Sequence, residues 1–596
     1  MRLRLLMAAA LAILLTSKPA LGPGESLQAN LLVVGGNEAA CAAAVQAARM
    51  GVTNVMLVSD CEMLGGQYSA EGVGCVDERV FIDGENVDFP RSGLALEIVR
   101  AIESYNERRY GKSCPGNCWS ATRTIEPRPA ADIFEKLLSE QGGRIRVVRG
   151  RRPVRAMMDG VRVIGVCFDG GLTVLASITI DASDWGDVIR LSGSKYFAGV
   201  DPQSRFGEKG APRTVGPLER MEMNPMTWTM TLVEKENARP IPKPADYDPA
   251  NYPRGDIWSE SGVLPSAYAG HCSPYIQRRL VDTRHFALKD ARETIQLNAT
   301  AMDYPLCAWP ARVAKRLEAL KPGLSQVNFV DLPVEAKEIV FSDMKNRSLG
   351  YLYFLQNDNP PTVTRMRKFE LVDDFGTADR LPPKPYVREG LRLAAVKVVT
   401  ENDVAAVDGD ASCWASCPDD AAFGFQFHID FHPTRRAFDA DDPNVWKLVH
   451  TAERNWSAKT KRAFFPYAGF VPVETEGLLG AGKNIGVSSI VQAALRLHPQ
   501  MVLSGQCAGA LAATAVCADR SPRTIVSDPV AVRALQEAMV KGVDGRPGVA
   551  IWAWQDLVPG TPAFLSANLP VVRGTRSDRL ESRSVGRRLF WHNSAK

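Results

Sequence analysis

The stretch LLVVGGNEAACAAA, residues 31–44, decides how this chain begins to fold. A short apolar strand at 31–34 leads through two glycines into an alanine-rich segment, about 38–50, that we expect to be helical. A second strand, VTNVMLVS, follows at 52–59. The order strand, glycine turn, helix, strand predicts a βαβ unit with parallel strands.

The turn in this unit is a variant of the pattern that binds nucleotides. A diphosphate needs a tight turn, closely approachable backbone and the N–H groups of a helix start, which G-x-G-x-x-G provides. Gly35 takes the turn, Asn37 stands at the close-approach position and Ala40 at the helix-packing position. Asparagine tolerates unusual turn conformations, and its amide can itself donate to a phosphate. The residues alone fit either a nucleotide site or a plain packing turn.

Other segments support the nucleotide interpretation. Ser59 and Asp60 end the second strand, where an acidic group would hold a ribose hydroxyl. The doublet LGG follows at 64–66. Far downstream, EGLLGAGKNIGVSS and RLHPQMVLSGQCAGALAATA predict a strand, a glycine turn and a glycine-led helix. The N-terminus of such a helix can face the polar ring edge of a cofactor.

The segment FQFHIDFH, residues 425–432, alternates between apolar and polar residues, which predicts a half-buried strand. Its polar face carries His428, Asp430 and His432, a carboxylate between two imidazoles, a setting that can tune a base near neutral pH. A solvated strand face and a metal site built from these three residues are the alternatives.

A second candidate for substrate binding is YVREGLRL, which predicts a helix that continues to about residue 400, with Arg388 at its front. Arg388 could bind a substrate carboxylate or sugar oxygen, or form an internal salt bridge. An aromatic wall suited to a carbohydrate could also form, although core packing is the alternative for most of its members: Trp185, Trp309, Tyr351, Tyr353 and Gln356.

Composition limits the class of protein and its partners. The chain has 596 residues, a hydrophobic fraction of 45% and a net charge of +4, which suit a soluble multi-domain protein and call for no nucleic acid. Two early arginines, an apolar run and small residues follow a secretory signal layout, so we expect a periplasmic or secreted protein with no stable membrane span after signal removal.

Export would permit disulfides among the cysteines of this chain. Among the twelve cysteines, CPGNC (Cys114, Cys118) and CWASC (Cys413, Cys417) are closely spaced, and the first forms a tight turn that allows a local bridge. A local bridge, free thiols and a redox-active pair are the alternatives. Cys41 and Cys507, among alanines, are expected to be small core residues.

The successive blocks of this sequence resemble a known family. AAAVQAARMG, MLGGQ, ITIDASDWGDV, SLGYLYFLQ, PYVREGLRL, HIDFH, AGKNIG and GQCAGA are similar to bacterial FAD-dependent oxidoreductases of the glutathione-reductase-like type, often labelled xanthan-lyase-like. The likeness runs from about 30 to 560. That family commonly has Thr or Ser where Asn37 stands, and usually glutamate at Ser59, with Asp60 as the neighbouring substitute here.

The resemblance implies an α/β fold: a glutathione-reductase-like FAD-binding domain of Rossmann-type βαβ units with an inserted α+β substrate domain. We predict a signal peptide at 1–26, the FAD-binding domain in two parts at 27–199 and 386–560, the inserted domain at 200–385 and a basic tail at 561–596. The resemblance also implies cofactor contacts, at the diphosphate for Gly35, Gly36, Asn37 and Ala40, along the flavin for Gly65, Gly66 and Gln67, and near the same cofactor for Asp187, Gly482, Gly505 and Gln506.

Together these features predict an exported FAD-dependent oxidoreductase. A hydride would leave a polar organic substrate, a carbohydrate-like compound among the candidates, while a group on the 426–432 face takes the hydroxyl or amine proton. The reduced flavin would pass its electrons to an acceptor that the sequence does not identify. The alternatives are a metal-dependent hydrolase or lyase that uses His428, Asp430 and His432, and a non-catalytic nucleotide-binding protein.

Overall fold

The computed structural model describes residues 24–82, 85–118, 123–253, 278–406, 414–449, 457–552 and 557–573. The leader before residue 24, Cys413 and the tail after residue 573 lie outside these residues, so the predictions about them remain predictions.

The described strands follow one another along the whole chain. They are β1 Ser26–Val34, β2 Val55–Val58, β3 Arg79–Ile82, β4 Glu85–Asp88, β5 Asn117–Cys118, β6 Ile145–Val148, β7 Pro153–Asp159, β8 Arg162–Phe168, β9 Thr173–Asp181, β10 Tyr196–Phe197, β11 Met230–Glu234, β12 Arg278–Val281, β13 Thr294–Leu297, β14 Phe369–Leu371, β15 Arg392–Leu393, β16 Ala421–Phe425, β17 Ile429–Asp430, β18 Arg435–Phe438, β19 Trp446–Val449, β20 Ser457–Ala458, β21 Ala463–Pro466 and β22 Leu478–Gly480.

The described α-helices range from one turn to twenty-four residues. They are α1 Glu38–Arg49, α2 Gly93–Tyr110, α3 Pro127–Ser139, α4 Asp187–Leu191, α5 Gln203–Phe206, α6 Pro217–Met221, α7 Ala311–Leu320, α8 Val334–Asn357, α9 Pro360–Met366, α10 Glu401–Val404, α11 Ser489–Gln492, α12 His498–Ala518, α13 Pro522–Val526, α14 Pro529–Lys541 and α15 Pro562–Val572.

The main sheet has seven strands in the order β6-β2-β1-β9-β8-β7, with β22 also paired to β9. β1 is parallel to both β2 and β9, and in this register Val34 lies opposite Val58 and Asp181. The carboxyl ends of three parallel strands therefore meet at one edge. The predicted βαβ unit and the α/β class are confirmed.

β1 is apolar throughout its second half because both faces of the sheet are covered. Leu31 and Val33 pack into one hydrophobic core with α1 and α12, while Leu32 and Val34 pack into another with residues of the 221–395 region. Successive strand residues point to opposite faces, so a strand buried on both sides needs a continuous apolar run.

A second, antiparallel sheet has the order β14-β11-β13-β12-β5. Four of its strands lie within 200–385, but β5, at Asn117–Cys118, belongs to the predicted first part of the FAD-binding domain. The segment also shares its hydrophobic core with β1 and β9. An inserted domain with the predicted boundaries therefore stays a prediction.

Two predictions about local structure are wrong. The predicted helix after residue 386 is irregular chain that contains only β15, because Glu389 and Arg392 pair with each other in the interior. The 425–432 segment is not one strand, since β16 ends at Phe425 and β17 covers only Ile429 and Asp430.

The start of the predicted basic tail is structured, and one cysteine pairing needs correction. Pro562–Val572 is the helix α15, with Phe564 and Val572 buried, whereas the arginine-rich remainder of the tail lies outside the described residues. Cys118 is bonded to Cys75 on a distant segment rather than to Cys114, which keeps a free thiol. Cys41 and Cys507 are buried, as predicted.

One helix among the described residues, α12, is long and apolar enough to cross a bilayer by length and composition. Most of it is buried inside the protein, where it packs against α1. A long apolar helix that is mostly buried in this way is typical of the core of a globular fold.

Candidate active site

The turn between β1 and α1 is packed so closely that its two glycines are required. Gly35 has a φ of +131°, and a Cβ there would lie 2.3 Å from the carbonyl oxygen of Ala182, after β9. At Gly36 a Cβ would lie 2.1 Å from the Ser59 Oγ, after β2. The turn therefore fits between the ends of the two neighbouring strands.

Asn37 is the N-cap of α1. Its φ of −76° is ordinary for any residue, its Oδ1 accepts a hydrogen bond from the Ala40 amide at 3.0 Å, and its Nδ2 donates to the Ala182 carbonyl at 2.8 Å and to Asp184 at 3.2 Å. The idea that this amide donates to a phosphate is corrected, since both of its hydrogens have partners within the protein. Ala40 is buried in the first turn, where a small side chain is needed.

The glycine doublet lies directly against this turn. The Gly65 amide donates to the Gly36 carbonyl at 2.8 Å, and a Cβ at Gly66 would lie 2.0 Å from a carboxylate oxygen of Glu38. Gln67 donates to the same carboxylate from its amide N–H at 3.1 Å and from its Nε2 at 2.6 Å. The two segments that the resemblance assigns to the cofactor therefore form one surface.

The end of β2 contributes two side chains with different surroundings. Ser59 is buried, and its hydroxyl accepts from the Cys61 amide and donates to the Cys61 carbonyl. Asp60 is half-buried and pairs with Lys384 at 2.5 Å. Of the two, only Asp60 faces the open cavity described next.

A cavity of about 840 Å³ opens at the carboxyl ends of β1, β2 and β9. One wall carries Gly35, Asp60, Trp185 and Asp187, and the other comes from α8 and from the segment around Lys384. Ligands of open α/β sheets bind at this edge of the strands. The volume is within the range of cofactor sites.

Lys384 joins the two sides of the glycine turn. Its Nζ lies 2.5 Å from Asp60 and 2.6 Å from Asp184. Burial lowers the pKa of Lys384, but the charges of Asp184 and Asp60 outweigh it and hold that pKa well above its ordinary value. Burial raises the pKa of Asp184, yet Lys384 and Lys483 lower it overall, so Asp184 and Lys384 are both ionised.

The remaining residues that the resemblance assigned to the cofactor have mixed surroundings. Asp187 begins α4, lines the cavity and pairs with Arg190 at 3.1 Å. Gly482 is packed beside Ala39, and its amide donates to the Ser504 hydroxyl. Asp187 and Gly482 thus lie at the turn or the cavity.

Gly505 and Gln506 serve contacts inside the protein. A Cβ at Gly505 would lie 2.0 Å from the Ala39 carbonyl, where α12 crosses α1. The Gln506 side chain accepts from the Leu94 amide at 2.9 Å and donates to Gln46 at 2.9 Å. Their predicted position beside the flavin stays a prediction.

The polar residues of the 425–432 segment do come together. His428 Nε2 lies 3.8 Å from Asp430 Oδ1, and His432 Nε2 lies 3.6 Å from Asp430 Oδ2. All three side chains are half-buried, whereas the alternating apolar residues Phe425, Phe427, Ile429 and Phe431 are buried. The predicted division into two faces is confirmed, except that Gln426 is also buried.

Two residues that the sequence reasoning missed complete this cluster. Asp303 Oδ2 lies 2.6 Å from His432 Nδ1, and the Arg496 guanidinium donates to Asp430 Oδ2 at 2.8 Å. Asp303 is far away in the chain and carries no local motif, so no sequence signal marks it. Arg496 stands in the RLHP block quoted above, where it had no assigned role.

The electrostatics of this His-Asp cluster follow from these contacts. Burial raises the pKa of Asp430, but His432 and Arg496 outweigh it and hold the pKa well below its ordinary value. Burial also raises the pKa of Asp303, and Arg388 with His432 lowers it overall. Burial lowers the pKa of His428, so this imidazole is neutral at pH 7.

Arg388 belongs to the interior rather than to a surface that a substrate could reach. Its guanidinium is buried and contacts Asp303 at 3.1 Å, the Pro225 carbonyl at 2.8 Å and Thr227 at 2.9 Å. The internal salt bridge is thus the alternative that the structure supports. Its charge keeps Asp303 ionised.

The residues expected to form an aromatic wall do not come together as one surface. Trp185 lines the cavity, whereas Trp309 and Tyr351 are buried in the core. Gln356 is buried and bonds to main-chain groups of the same region, and Tyr353 packs on Tyr247. Core packing is their role in the structure, with Trp185 as the exception.

A glycine turn, a helix start and a cavity at the ends of parallel strands define a dinucleotide-binding protein. Residues 30–539 match the family described as FAD dependent oxidoreductase. Because this is most of the chain, the protein belongs to the FAD-dependent oxidoreductase family, is an enzyme and uses FAD as its cofactor. No curated protein matches the sequence.

Solved structures with similarity to this chain are distant. The myxobacterial chondrochloren halogenase, an FAD-dependent halogenase, is 10% identical over 92% of this chain and 90% of its own, with a TM-score of 0.31. A geranylgeranyl bacteriochlorophyll reductase-like protein from Thermoplasma acidophilum is 10% identical over 86% and 83%, with a TM-score of 0.30. Similarity at this level supports no conclusion about the substrate.

The residues at the turn fit FAD. Gln67 Oε1 and Asn484 Oδ1 are buried acceptors without a hydrogen-bond partner in the described part of the chain. Buried polar groups are almost always paired, and a hydrogen-bond donor of a bound flavin would supply the partner that these two acceptors lack. Both residues stand in blocks that the resemblance connects with the flavin.

Proposed function

We propose that this protein is an exported FAD-dependent dehydrogenase or oxidase that oxidises a polar organic substrate, for which a carbohydrate is the first candidate. The observation that carries the proposal is a short chain of hydrogen bonds between the glycine doublet and the His-Asp cluster. Gln67 Nε2 donates to the Arg496 carbonyl at 3.1 Å, and the Arg496 guanidinium binds Asp430 at 2.8 Å. Two residues, Arg496 and Asp430, thus connect the segment assigned to the flavin with His432, which lies 3.6 Å from Asp430.

His432 is the group that we expect to take the substrate proton. Asp303 is ionised and accepts from Nδ1 at 2.6 Å, which leaves the lone pair on Nε2. Nε2 lies 3.6 Å from Asp430, whose negative charge stabilises the positive charge that develops on the ring during proton transfer. When bound, FAD accepts the two electrons that leave the substrate carbon.

His428 and a third arginine provide positions for substrate polar groups. His428 is neutral at pH 7 and can accept a hydrogen bond from a hydroxyl. Arg278, on β12, is close enough to Asp77, Tyr386 and Asp303 for their charges to act on it. Its guanidinium makes no hydrogen bond with any described residue. A sugar oxygen or a carboxylate can bind there, in place of the role first given to Arg388.

Two observations support export. The N-terminal sequence has the layout of a secretory signal, and Cys75 and Cys118 are bonded. Disulfides form and persist in oxidising compartments. We therefore place the enzyme in the periplasm or outside the cell.

The metal-dependent alternative has less support from the same contacts. The described residues include no group of three or more His, Cys, Asp or Glu side chains arranged to hold a metal. His432 Nδ1 is engaged by Asp303, and the positively charged Arg496 sits on the Asp430 oxygen that would bind a cation. Zinc in a colourless purified protein would nevertheless favour a hydrolase or lyase.

Replacement of Asp303 by asparagine tests the role of His432. The neutral amide no longer fixes the Nδ1–H tautomer, so we expect anaerobic flavin reduction by an active sugar, polyol or amine to slow about 100-fold or more. FAD content, read from the flavin absorption bands, should stay at the wild-type level. Stopped-flow bleaching of those bands measures the rate.

Asp282→Asn is the matched control, because Asp282 also pairs with a histidine, His285 at 2.7 Å, outside the cluster. We expect it to leave the reduction rate unchanged. Equal rates in wild type and Asp303→Asn would refute the role of His432. Absence of bleaching by any compound of the panel, with FAD bound, would refute the proposed substrate class.

A further inference from the structure

The surroundings of the glycine turn are strongly acidic. Asp184 accepts from Asn37 in the turn, Glu38 accepts from Gln67 beside the glycine doublet, and Asp60 follows the neighbouring strand β2. The FAD diphosphate is itself an anion, and the Asn37 amide is used for Ala182 and Asp184. A nearby cation would offset the repulsion between these carboxylates and the diphosphate.

Lys384 is that cation by position. Asp60 follows β2 and Asp184 follows β9, and β1 lies between these two strands in the sheet. An ammonium that touches both carboxylates therefore lies across the end of β1, where Gly35 makes the turn. Lys384, Gly35 and Asp60 line the same cavity.

Lys384 also retains a donor. An ammonium has three N–H groups. Within the described residues it bonds to Asp60 and Asp184, so one N–H is left on the cavity side. The other lysine of the turn, Lys483, does not line the cavity and is placed beside Glu71 at 3.7 Å.

We propose that Lys384 binds the diphosphate of FAD and, through its pair with Asp60, holds that carboxylate toward the adenosine ribose. Lys384 comes from the segment between the two predicted parts of the FAD-binding domain, and no glycine motif includes it. This proposal depends on FAD as the cofactor but not on the substrate or on the role of His432.

Binding of FAD and riboflavin to the FAD-free full-length protein tests the proposal, since riboflavin has no phosphate. We expect Lys384→Met to weaken FAD binding about 10- to 100-fold, the value of a lost charge-assisted hydrogen bond. Riboflavin binding should change less than about threefold, within ordinary variation among surface substitutions. Flavin fluorescence titration measures both affinities, and circular dichroism confirms the fold.

Lys541→Met is the matched control. Lys541 pairs with Glu537 at 2.9 Å on the exposed end of α14 and does not line the cavity. Its loss should leave FAD affinity unchanged, because the charge change is equal but falls outside the cavity. Equal losses of FAD affinity in the two lysine variants would overturn the proposal.

The double variant Lys384→Met with Asp184→Asn separates direct binding from simple charge balance. If Lys384 contacts the diphosphate, FAD affinity stays low in the double variant. Recovery of wild-type affinity would show that Lys384 only offsets Asp184, and it would overturn the proposal. Parallel loss of riboflavin affinity in Lys384→Met would do so too, because it would indicate a general defect of the site.

Discussion

Asn37 connects the start of α1 with the end of β9. Its Oδ1 caps the helix at Ala40, and its Nδ2 satisfies both the Ala182 carbonyl and the buried Asp184. The φ of −76° requires no glycine here, in contrast to Gly35 with a φ of +131°. A polar side chain at this position therefore adds contacts to a turn whose conformation does not depend on it.

Replacement of Asn37 by alanine should lower the free energy of unfolding of the FAD-free protein by about 2–4 kcal/mol. Loss of the cap accounts for about 1 kcal/mol. The unsatisfied buried partners account for about 1–3 kcal/mol. Urea denaturation measures the change.

Asn328→Ala is the control, because half-buried Asn328 also caps a helical turn, at Val330, but donates to an exposed carbonyl, that of Arg220, instead of to two buried groups. We expect it to cost less than about 1 kcal/mol. If both variants lose the same amount, the contacts of Asn37 with Ala182 and Asp184 contribute nothing.

At the residue scale the sequence predicted the glycine positions and the His-Asp set but not their partners. Gly35 and Gly36 follow from local turn chemistry, and His428, Asp430 and His432 follow from alternation in a short segment. Asp303 and Lys384 come from segments without a motif, and they reach the site only because the chain folds back over the sheet edge. Such contacts depend on tertiary structure, which a single sequence does not encode in any local pattern.

The crossing of α1 and α12 sets how closely these elements approach. A Cβ at Gly505 or Gly509 would lie within 2.0 to 2.3 Å of the carbonyl oxygens of Ala39 and Ala43. Alanine on one helix and glycine on the other let the backbones come into contact. Because α1 starts at the cofactor turn, this crossing also positions that turn.

Gly505→Ala should destabilise the FAD-free protein by about 1–3 kcal/mol, as overpacking of a tight core does. The added methyl group would separate α12 from α1. Thermal and urea unfolding without FAD measure the effect. Thr514→Ala, on a half-buried part of the same helix, should change the stability by less than about 0.5 kcal/mol.

The contrary result for Gly505→Ala is informative about its predicted place beside the flavin. A variant with unchanged stability in the absence of FAD, but weakened FAD binding, would assign Gly505 to the cofactor rather than to the helix crossing. Loss of stability without FAD assigns it to packing.

At the scale of elements, strong periodicity and glycine turns predicted β1, α1 and α12 well. The helix predicted after residue 386 failed, because its charged residues are held in the interior: Glu389 and Arg392 are buried and paired, and Arg388 bonds to Asp303. A Cβ added at Gly390 would lie 2.8 Å from the carbonyl oxygen of Asp184, so this position is tightly packed. Tertiary ion pairs outweighed a moderate helix propensity here.

At the scale of the whole molecule, two regions supply the functional groups. The main sheet supplies the glycine turn, Asp60 and Asp184, while the 200–385 region supplies Asp303 and Lys384. A site built by both regions explains why they share a hydrophobic core. Removal of either region would therefore abolish the whole site and not only one of the side chains that form it.

Two neighbouring groups, Asp77 and His498, change the stability in opposite directions as pH rises. The Asp77 amide donates to His498 Nδ1 at 3.1 Å. Burial raises the pKa of Asp77 to about 6, although Arg278 opposes it, and burial lowers the pKa of His498 to about 3. The folded protein therefore loses stability through Asp77 as pH rises from about 3.8, the pKa of Asp77 in the unfolded chain, to about 6. It loses stability through His498 as pH falls.

Asp77→Asn isolates one of these contributions. The folded wild type binds more protons at Asp77 than the unfolded chain does between pH 4 and 6, so it loses stability across that range as pH rises, by at most about 3 kcal/mol. Since Asp77 is only half-buried, we expect less than this limit. The variant lacks the titrating group, so its stability relative to wild type should be higher at pH 7 than at pH 4.

Urea denaturation at both pH values measures the difference, and Asp159→Asn, an exposed position, controls for loss of one charge. A difference between Asp77→Asn and wild type that is the same at pH 4 and pH 7 would contradict the raised pKa that the surroundings give Asp77.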